Sequence, residues 1–181
     1  MRLDVQSDVT QVTRMLNDLA QKNVPIAAAR ALNKTITNVR TEASRAIRIE
    51  RALSAKVVKA ALNTSKATRY KLTASLTASG RPIPLREYAA RETLKGVTVK
   101  VSPGARKRIK VNGNAAFLID KYGGHVFVRT TNERLPIEKR YGPSIPSTFL
   151  KGAVVKAFTK VGSDNWPKRF QEELNYELSK K

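Results

Sequence analysis

Residues 96–128, GVTVKVSPGARKRIKVNGNAAFLIDKYGGHVFV, decide the fold of this chain. At their start, Val97, Val99 and Val101 alternate with polar residues. Successive side chains of a β-strand point to opposite faces, so this alternation predicts a half-buried strand.

Two turn signals and two apolar runs follow that strand. Pro103-Gly104 turns the chain, residues 107–111 return as a strand, and Asn112-Gly113 is a strong hairpin signal. Residues 116–119 and 126–128 are short and apolar, which is typical of central strands buried on both faces. The stretch therefore predicts a mostly antiparallel sheet.

Upstream of the sheet, hydrophobic residues recur with helical spacing. This spacing predicts helices over residues 7–20, 25–49 and 54–62. Lys22-Asn23 is expected to break the chain between the first two, and Pro25 fits the first turn of the second. The second helix is expected to bury an alanine-rich stripe made of Ile26, Ala29, Leu32 or Asn33, Ile36, Val39, Ala43 and Ala46.

Three segments lie between these helices and the valine-rich strand. Apolar and polar residues alternate over residues 70–76, which predicts another half-buried strand. Residues 80–84 contain two prolines and indicate a turn or an extended edge. Residues 85–95 fit either a helix or a strand, and the strand is favoured.

Downstream, residues 135–146 contain three prolines and indicate an extended connection. A helix is expected from about residue 147, and a last helix from about residue 164 with Pro167 in its first turn. The fold class is therefore α+β, with N-terminal helices, a central mostly antiparallel sheet and two C-terminal helices. The expected segments are 1–62, 63–140 and 141–181, within one compact domain that carries a helical extension.

The charge of the chain is strongly positive. There are 35 Lys and Arg residues against 14 Asp and Glu residues, for a formal net charge of +21. The excess is concentrated in residues 63–115, which carry 12 basic and 2 acidic side chains. Such a chain repels its own copies unless a polyanion or an acidic protein surface neutralises it.

Composition and motifs also exclude several classes of protein. The sequence has no cysteine, which excludes disulfides and thiol chemistry. No signal peptide or membrane span is visible, so a cytoplasmic protein without membrane contact is expected. His125 is the sole histidine and has no visible metal or catalytic partner. We therefore expect no enzyme activity, no cofactor and no metal.

Seven phrases, in their order and spacing, point to a known family. They are Ala31-Leu32-Asn33-Lys34-Thr35, residues 94–101 (LKGVTVKV), Val126-Phe127-Val128-Arg129, Leu135-Pro136-Ile137, Gly142-Pro143-Ser144-Ile145-Pro146, Pro167-Lys168-Arg169-Phe170 and Glu172-Glu173-Leu174. Together they resemble the minor tail protein Z family of lambda-like phages and prophages, over most of the chain from about residue 25.

The resemblance implies a structural virion protein of a tailed bacteriophage without catalytic residues. It implies tail completion or head–tail joining by a homo-oligomeric ring, with sixfold symmetry, on the path through which genomic DNA passes. The implied partners are neighbouring neck, tail terminator or tail tube proteins. The implied location is the virion, with the host cytoplasm during assembly.

Residues 106–110 form the first candidate site. Several cations on one short ribbon can neutralise phosphates and release counterions, so the ribbon could contact DNA or an acidic partner. A solvated loop with harmless charge is an equally weighted alternative. The residues are Arg106, Lys107, Arg108 and Lys110.

Two further surfaces are candidates. The second helix carries a basic face that could line a channel, although an ordinary exposed helix face is favoured. The proline-rich stretch at residues 142–146 could contact a neighbouring subunit at low ordering cost, or act as a rigid connector. The helix residues are Arg30, Lys34, Arg40, Arg45 and Arg48, and those of the stretch are Gly142, Pro143, Ser144, Ile145 and Pro146.

Composition alone also fits a different class of protein. The isoelectric point near 10.7 is typical of a non-sequence-specific nucleic-acid-binding protein of cytoplasmic ribonucleoprotein or chromatin type. No helix-turn-helix or RNA-binding motif is visible that would read bases. A true nucleic-acid binder would lose affinity steeply between about 50 and 200 mM salt.

Overall fold

A computed structural model describes Asn17 and residues 19–180 of the chain. The fold within this range is α+β, as predicted. Helices precede and follow a series of short strands along the sequence. The strand pairs with a described register are antiparallel. The helices are α1 (Val24–Glu50), α2 (Ala55–Ala61), α3 (Ile145–Phe149) and α4 (Gly152–Leu178).

The strands belong to four small sheets rather than to one continuous sheet. The sheet orders are β1-β2, β3-β4-β5, β6-β7 and β10-β9-β8. The strands are β1 (Leu62–Ser65), β2 (Ser75–Ala78), β3 (Arg91–Thr93), β4 (Gly96–Val99), β5 (Lys107–Arg108), β6 (Lys110–Val111), β7 (Asn114–Ala115), β8 (Phe117–Ile119), β9 (His125–Arg129) and β10 (Ile137–Lys139).

The chain forms two compact units. The first contains the described residues of Met1–Arg40 with Thr64–Leu76 and Thr159–Lys181, and the second contains Thr41–Asn63 with Thr77–Phe158. The first unit is mainly helical, and the second holds most of the strands. The division at residues 62 and 140 stays a prediction.

The N-terminal helices differ in part from the expectation. The helix predicted over residues 7–20 lies almost entirely outside the described residues. The predicted break at Lys22-Asn23 is wrong, because Leu19–Asn23 is a π-helical turn that runs directly into α1. Pro25 has no N–H to donate, and the widened turn before it is where the helix accommodates this loss.

The buried stripe of α1 is alanine-rich, as predicted, and follows the predicted positions in part, because Ala29, Val39 and Ala43 are buried. Ile26 and Ala46 are only half-buried. Small buried residues allow another backbone to approach closely. The buried residues of α1 are Ala27, Ala28, Ala29, Ala31, Thr35, Val39, Ala43, Ser44 and Ile47.

The short helix and the hairpin form where the local signals predict them. Ser54 caps α2 by accepting a hydrogen bond from the backbone N–H of Val57. Asn112 and Gly113 have φ of 49° and 81°, as a turn with two left-handed residues requires. Val97 and Val99 are completely buried in β4.

The apolar runs around residues 116–128 divide into one central strand and one outer strand. β9 is central, between β10 and β8, and Val126 and Val128 are buried. β8 lies at the end of that sheet, and its three residues are half-buried. The prediction of a second central strand is therefore wrong, because an apolar run does not reveal how many neighbours a strand has.

The strand predicted over residues 70–76 is mostly a loop. Only Ser75–Ala78 is a strand, and the side chain of Tyr70 is 82% exposed. Two backbone hydrogen bonds between Thr68 and Lys71 close a tight turn. The side chain of Asn33 holds this loop, because it donates to the Ala67 carbonyl at 2.9 Å and accepts from the Ala67 N–H at 2.8 Å. The turn and the bonds from Asn33 thus stand in place of the strand pairing that the alternation predicted.

Residues 85–95 contain both alternatives. Leu85–Tyr88 is a 3-10 turn that ends at Ala89, with φ of 50°, and Arg91–Thr93 is a strand. The favoured strand is therefore wrong for the first half and right for the second. Leu85 and Tyr88 are both buried, which two residues three positions apart achieve through one helical turn.

The C-terminal helix is longer than predicted. α4 runs without interruption through Pro167, so the predicted start near residue 164 is wrong. Proline is costly inside a helix because it cannot donate to the carbonyl four residues earlier, here that of Ser163. The side-chain hydrogen bonds just before Pro167 go to other carbonyls. Asn165 donates to the Val161 carbonyl at 2.8 Å, and Ser163 donates to the Lys160 carbonyl at 2.9 Å. Trp166 also stacks on Phe170.

Candidate functional site

The basic residues predicted at 106–110 lie in and around two short strands. Lys107 and Arg108 form β5, the outer strand of the β3-β4-β5 sheet, Lys110 begins β6, and Arg106 directly precedes β5. The register pairs Arg108 with Thr98 and Lys107 with Val99. Because Val99 is buried, Lys107 is in register with the buried side of the sheet, and Arg108 with the outward side. Lys107, Arg108 and Lys110 are all exposed.

Arg106 differs from these three cations because its guanidinium is bonded to the fold. Its Nε donates to the Thr98 hydroxyl at 3.2 Å and its Nη2 to the Thr98 carbonyl at 3.0 Å. Nη2 also donates to the carbonyl of Ala89. The side chain is half-buried and connects the start of β5 to Ala89, the residue after the 3-10 turn.

Arg91 joins this site from the opposite strand. The register pairs Arg91 with Thr98, so Arg91 and Arg108 flank Thr98 on the outward side. We call Arg91, Thr98, Arg106 and Arg108 the cationic face. Arg91 was not among the site residues predicted from the sequence, because its place beside Thr98 depends on β3 folding back on β4.

The cationic face contains no carboxylate. Glu92, next to Arg91, pairs with Val97 on the buried side and accepts a hydrogen bond from the Leu118 N–H at 3.4 Å. Within the described part of the chain, no carboxylate lies within salt-bridge distance of Arg91 or Arg108. The positive charge of Arg91 and Arg108 is therefore not neutralised by a described carboxylate.

The cations of α1 have carboxylate partners. Arg30 pairs with Glu177 and Lys34 with Glu173, both from α4. Glu173 is only 6% exposed, so Lys34 neutralises a buried carboxylate. The guanidinium of Arg30 also lies 5.9 Å from the centre of the Tyr176 ring.

The remaining cations of α1 are less uniform than the predicted face. Arg45 pairs with Glu42 at 3.0 Å. Arg40 is half-buried, whereas Arg45 and Arg48 are exposed. Arg30, Lys34 and Arg45 thus have ion-pair partners among the described residues, which reduces the unneutralised charge of α1.

The amino-acid sequence of the chain matches a known family. The sequence model of the family described as Prophage minor tail protein Z matches residues 8–181. The chain belongs to the prophage minor tail protein Z family. No curated protein and no solved structure matches it significantly.

Membership of this family makes the chain a structural protein of the phage tail. A minor tail protein has its place in the virion tail and interacts with other tail or virion proteins. Among the described residues, no helix combines the length and the apolar character needed to cross a bilayer.

The proline-rich stretch of this minor tail protein packs inside its own subunit. A Cβ on Gly142 would lie 2.5 Å from the Tyr88 ring, so only glycine allows this approach. Burial raises the pKa of Tyr88 to about 12, so its hydroxyl stays protonated and donates to the Pro143 carbonyl at 2.6 Å. Ser144 caps α3, and Ile145 is buried. An additional contact with a neighbouring subunit stays a prediction.

His125 lies in a positive environment. Its Nδ1 is buried and has no hydrogen-bond partner. This burial, followed by the charges of Lys139 and Arg86, lowers the pKa of His125, while Glu87 acts in the opposite sense. No group of three or more potential metal ligands occurs in the part of the chain that the structure describes.

Proposed function

We propose that this minor tail protein acts in tail completion or head–tail joining, as a ring subunit on the path of the DNA. The observation that carries the proposal is the cationic face, which has no counter-charge among the described residues of a protein of net charge +21. A structural subunit with such a surface needs an anionic neighbour, and genomic DNA is the strongest polyanion inside a tail.

The proposed assembly is a homo-oligomeric ring. Head-to-tail interfaces close into rings when the rotation between subunits is a fraction of a full turn. Sixfold symmetry is the value that the family resemblance implies. The neck, tail terminator or tail tube proteins would be its neighbours in the virion, after assembly in the host cytoplasm.

The stretch at residues 142–146 is the proposed subunit contact. Tyr141, which precedes it, is 52% exposed and gives access to this surface. A photo-crosslinking amino acid at position 141 should yield covalent dimers of the assembled chain. Crosslinking only within one chain would contradict an intersubunit role for this stretch.

The primary test is cryo-electron microscopy of virions of the parent phage, with mass spectrometry to detect the chain. The expected result is a closed ring of this protein between the portal-side proteins and the tail tube. Absence of the chain from the particle, or a monomer at the tail tip, would overturn the proposal.

The alternative of a ribonucleoprotein or chromatin-type protein receives less support. Its basis is the basic composition, which a tail protein beside DNA shares. Family membership favours the virion. Detection of the chain on intracellular RNA or on the host chromosome, together with its absence from virions, would reverse this preference.

A further inference from the structure

The outward side of the β3-β4-β5 sheet has the properties of a surface for a rod-shaped polyanion. We infer that the cationic face binds the phosphate backbone of double-stranded DNA through Arg91 and Arg108, without reading its sequence. This inference rests on the proposed function, which brings DNA to the ring, and names the residues that meet it.

The spacing of the two arginines suits a phosphate backbone. Both are in register with Thr98, from β3 on one side and β5 on the other. Neighbouring strands lie about 4.8 Å apart, so the backbones of Arg91 and Arg108 are roughly 10 Å apart. Each exposed side chain can reach a separate phosphate, and a guanidinium matches phosphate oxygens with two parallel hydrogen bonds.

The chemistry of the face favours DNA over an acidic protein. The cores of protein interfaces are apolar and rich in aromatic residues. The cationic face has a threonine between its arginines, and the exposed apolar side chain of Leu94 lies outside it, in the turn between β3 and β4. Arginine, lysine and threonine are the side chains that contact phosphates and sugars, and such contacts carry no base information.

The same composition favours double-stranded over single-stranded DNA. Proteins that bind single strands stack the unpaired bases on aromatic side chains. The cationic face has no aromatic member, so it offers only contacts to the backbone. A surface of this kind tolerates any sequence that moves past it, because phosphates repeat at the same spacing along a duplex.

Arg106 is excluded from the contacting set. Its guanidinium already donates to the carbonyls of Ala89 and Thr98 and to the Thr98 hydroxyl. It holds the end of β5 in place, whereas Arg91 and Arg108 have no described ion-pair partner. The distinction within one basic segment is what an experiment can test.

The experiment measures the affinity of the full chain for a duplex of about 20 base pairs, between about 50 and 200 mM salt. The double variant Arg91→Gln/Arg108→Gln is compared with Lys156→Gln/Lys160→Gln, which removes the same charge from two exposed positions of α4. Each lost phosphate contact lowers the slope of log K against log salt by about 0.9, so the arginine variant should lose about 2. The α4 variant should keep the wild-type slope, and Arg91→Lys/Arg108→Lys should recover most of it.

Three outcomes decide the inference. An unchanged slope for the arginine variant, or equal losses for both double variants, would overturn it, as would tighter binding to single-stranded DNA. Mass spectrometry of virions separates this failure from that of the proposed function. If wild-type chain is present in virions but the arginine variant keeps its slope, only the DNA face is wrong. If wild-type chain is absent from virions, the proposed function itself fails.

Discussion

The cations of α1 and those of the β3-β4-β5 sheet have similar chemistry and different surroundings. Arg30 and Lys34 meet the carboxylates of Glu177 and Glu173, one of which is buried. Arg91 and Arg108 flank a threonine and meet no described carboxylate. Local charge balance therefore distinguishes the two groups, although each is basic in the sequence.

Cations that neutralise carboxylates within the fold thus differ from cations that remain available to a partner. A cation that neutralises a buried carboxylate is costly to remove, because the partner remains unpaired in a poorly solvated place. An exposed cation without a partner contributes little to folding and remains available for binding. Removing the same charge should thus lower the stability of the fold when it is taken from α1, and the binding of a partner when it is taken from the β3-β4-β5 sheet.

The largest effect on stability is expected at Lys34. Glu173 keeps only 7% of its side chain exposed, whereas Lys34 is 55% exposed, so the variant Lys34→Gln leaves a buried carboxylate without its counter-charge. We expect a loss of about 1–2 kcal/mol in the free energy of unfolding by urea, less than for a fully buried pair.

The matched control is Lys156→Gln, at an exposed position of α4. It should change the free energy of unfolding by less than about 0.5 kcal/mol. Adding Glu173→Gln to Lys34→Gln should recover most of the loss. If Lys34→Gln lowers the free energy of unfolding no more than the control does, the Lys34–Glu173 ion pair does not stabilise the fold. The contrast between α1 and the β3-β4-β5 sheet would then be lost.

Arg106 lies in the basic segment but should behave like a helix cation. Replacement by Ala removes the donor to two carbonyls and one hydroxyl, so we expect a loss of about 1 kcal/mol in unfolding free energy. The measurement is urea denaturation combined with the salt slope of DNA binding. An unchanged stability with a slope reduced by about 1 would show that Arg106 is itself a phosphate contact.

Arg91 and Arg108 should have almost no effect on folding. The variant Arg91→Gln/Arg108→Gln should stay within about 0.5 kcal/mol of the wild-type free energy of unfolding, because both side chains are exposed and unpaired. Thermal unfolding at two protein concentrations measures this. A clear destabilisation would mean that these arginines belong to the fold, and would remove the contrast with α1.

The smallest effect concerns His125, which reports the positive potential near the strands. The pKa of His125 is held below its ordinary value of 6.5 by burial and by Lys139 and Arg86. The unfolded chain therefore binds the proton at a higher pH, so stability should fall as the pH drops through 6.5 towards the folded pKa. NMR titration should show that Lys139→Gln raises the pKa of His125, and His125→Asn should flatten the pH dependence. A pKa at or above the ordinary value would contradict this environment.

Local signals predicted the parts of the fold that local chemistry controls. Asn112-Gly113 formed its hairpin, Ser54 capped α2, and Val97 and Val99 became buried. The strand predicted over residues 70–76 is mostly wrong because no partner strand pairs with most of this segment. The hydrogen bonds from Asn33 that hold the loop come from a residue distant in sequence, which the local alternation could not reveal. The helix start predicted near residue 164 is wrong because proline is preferred in a first turn but is not confined to it, and α4 continues through Pro167.

The candidate site was predicted only in part. The basic segment of residues 63–115 includes every arginine of the cationic face. Charge alone could not separate Arg106, which bonds to the backbone, from Arg108, which does not, because that depends on register. Arg91 was missed because its nearness to Arg108 exists only after two turns bring β3 and β5 onto β4.

The hydrogen bonds around β4 have a consequence for the life of the free subunit. The N–H of Val97 donates to Ala116, that of Ile109 to Val97, and that of Ala116 to Ile109, at 3.0, 3.0 and 3.1 Å. These bonds form a closed cycle, so the N–H and carbonyl groups of Val97, Ile109 and Ala116 are all occupied and are not available to a foreign strand. A subunit waiting to be incorporated is thereby protected here from the fibre-like aggregation that open β-edges promote.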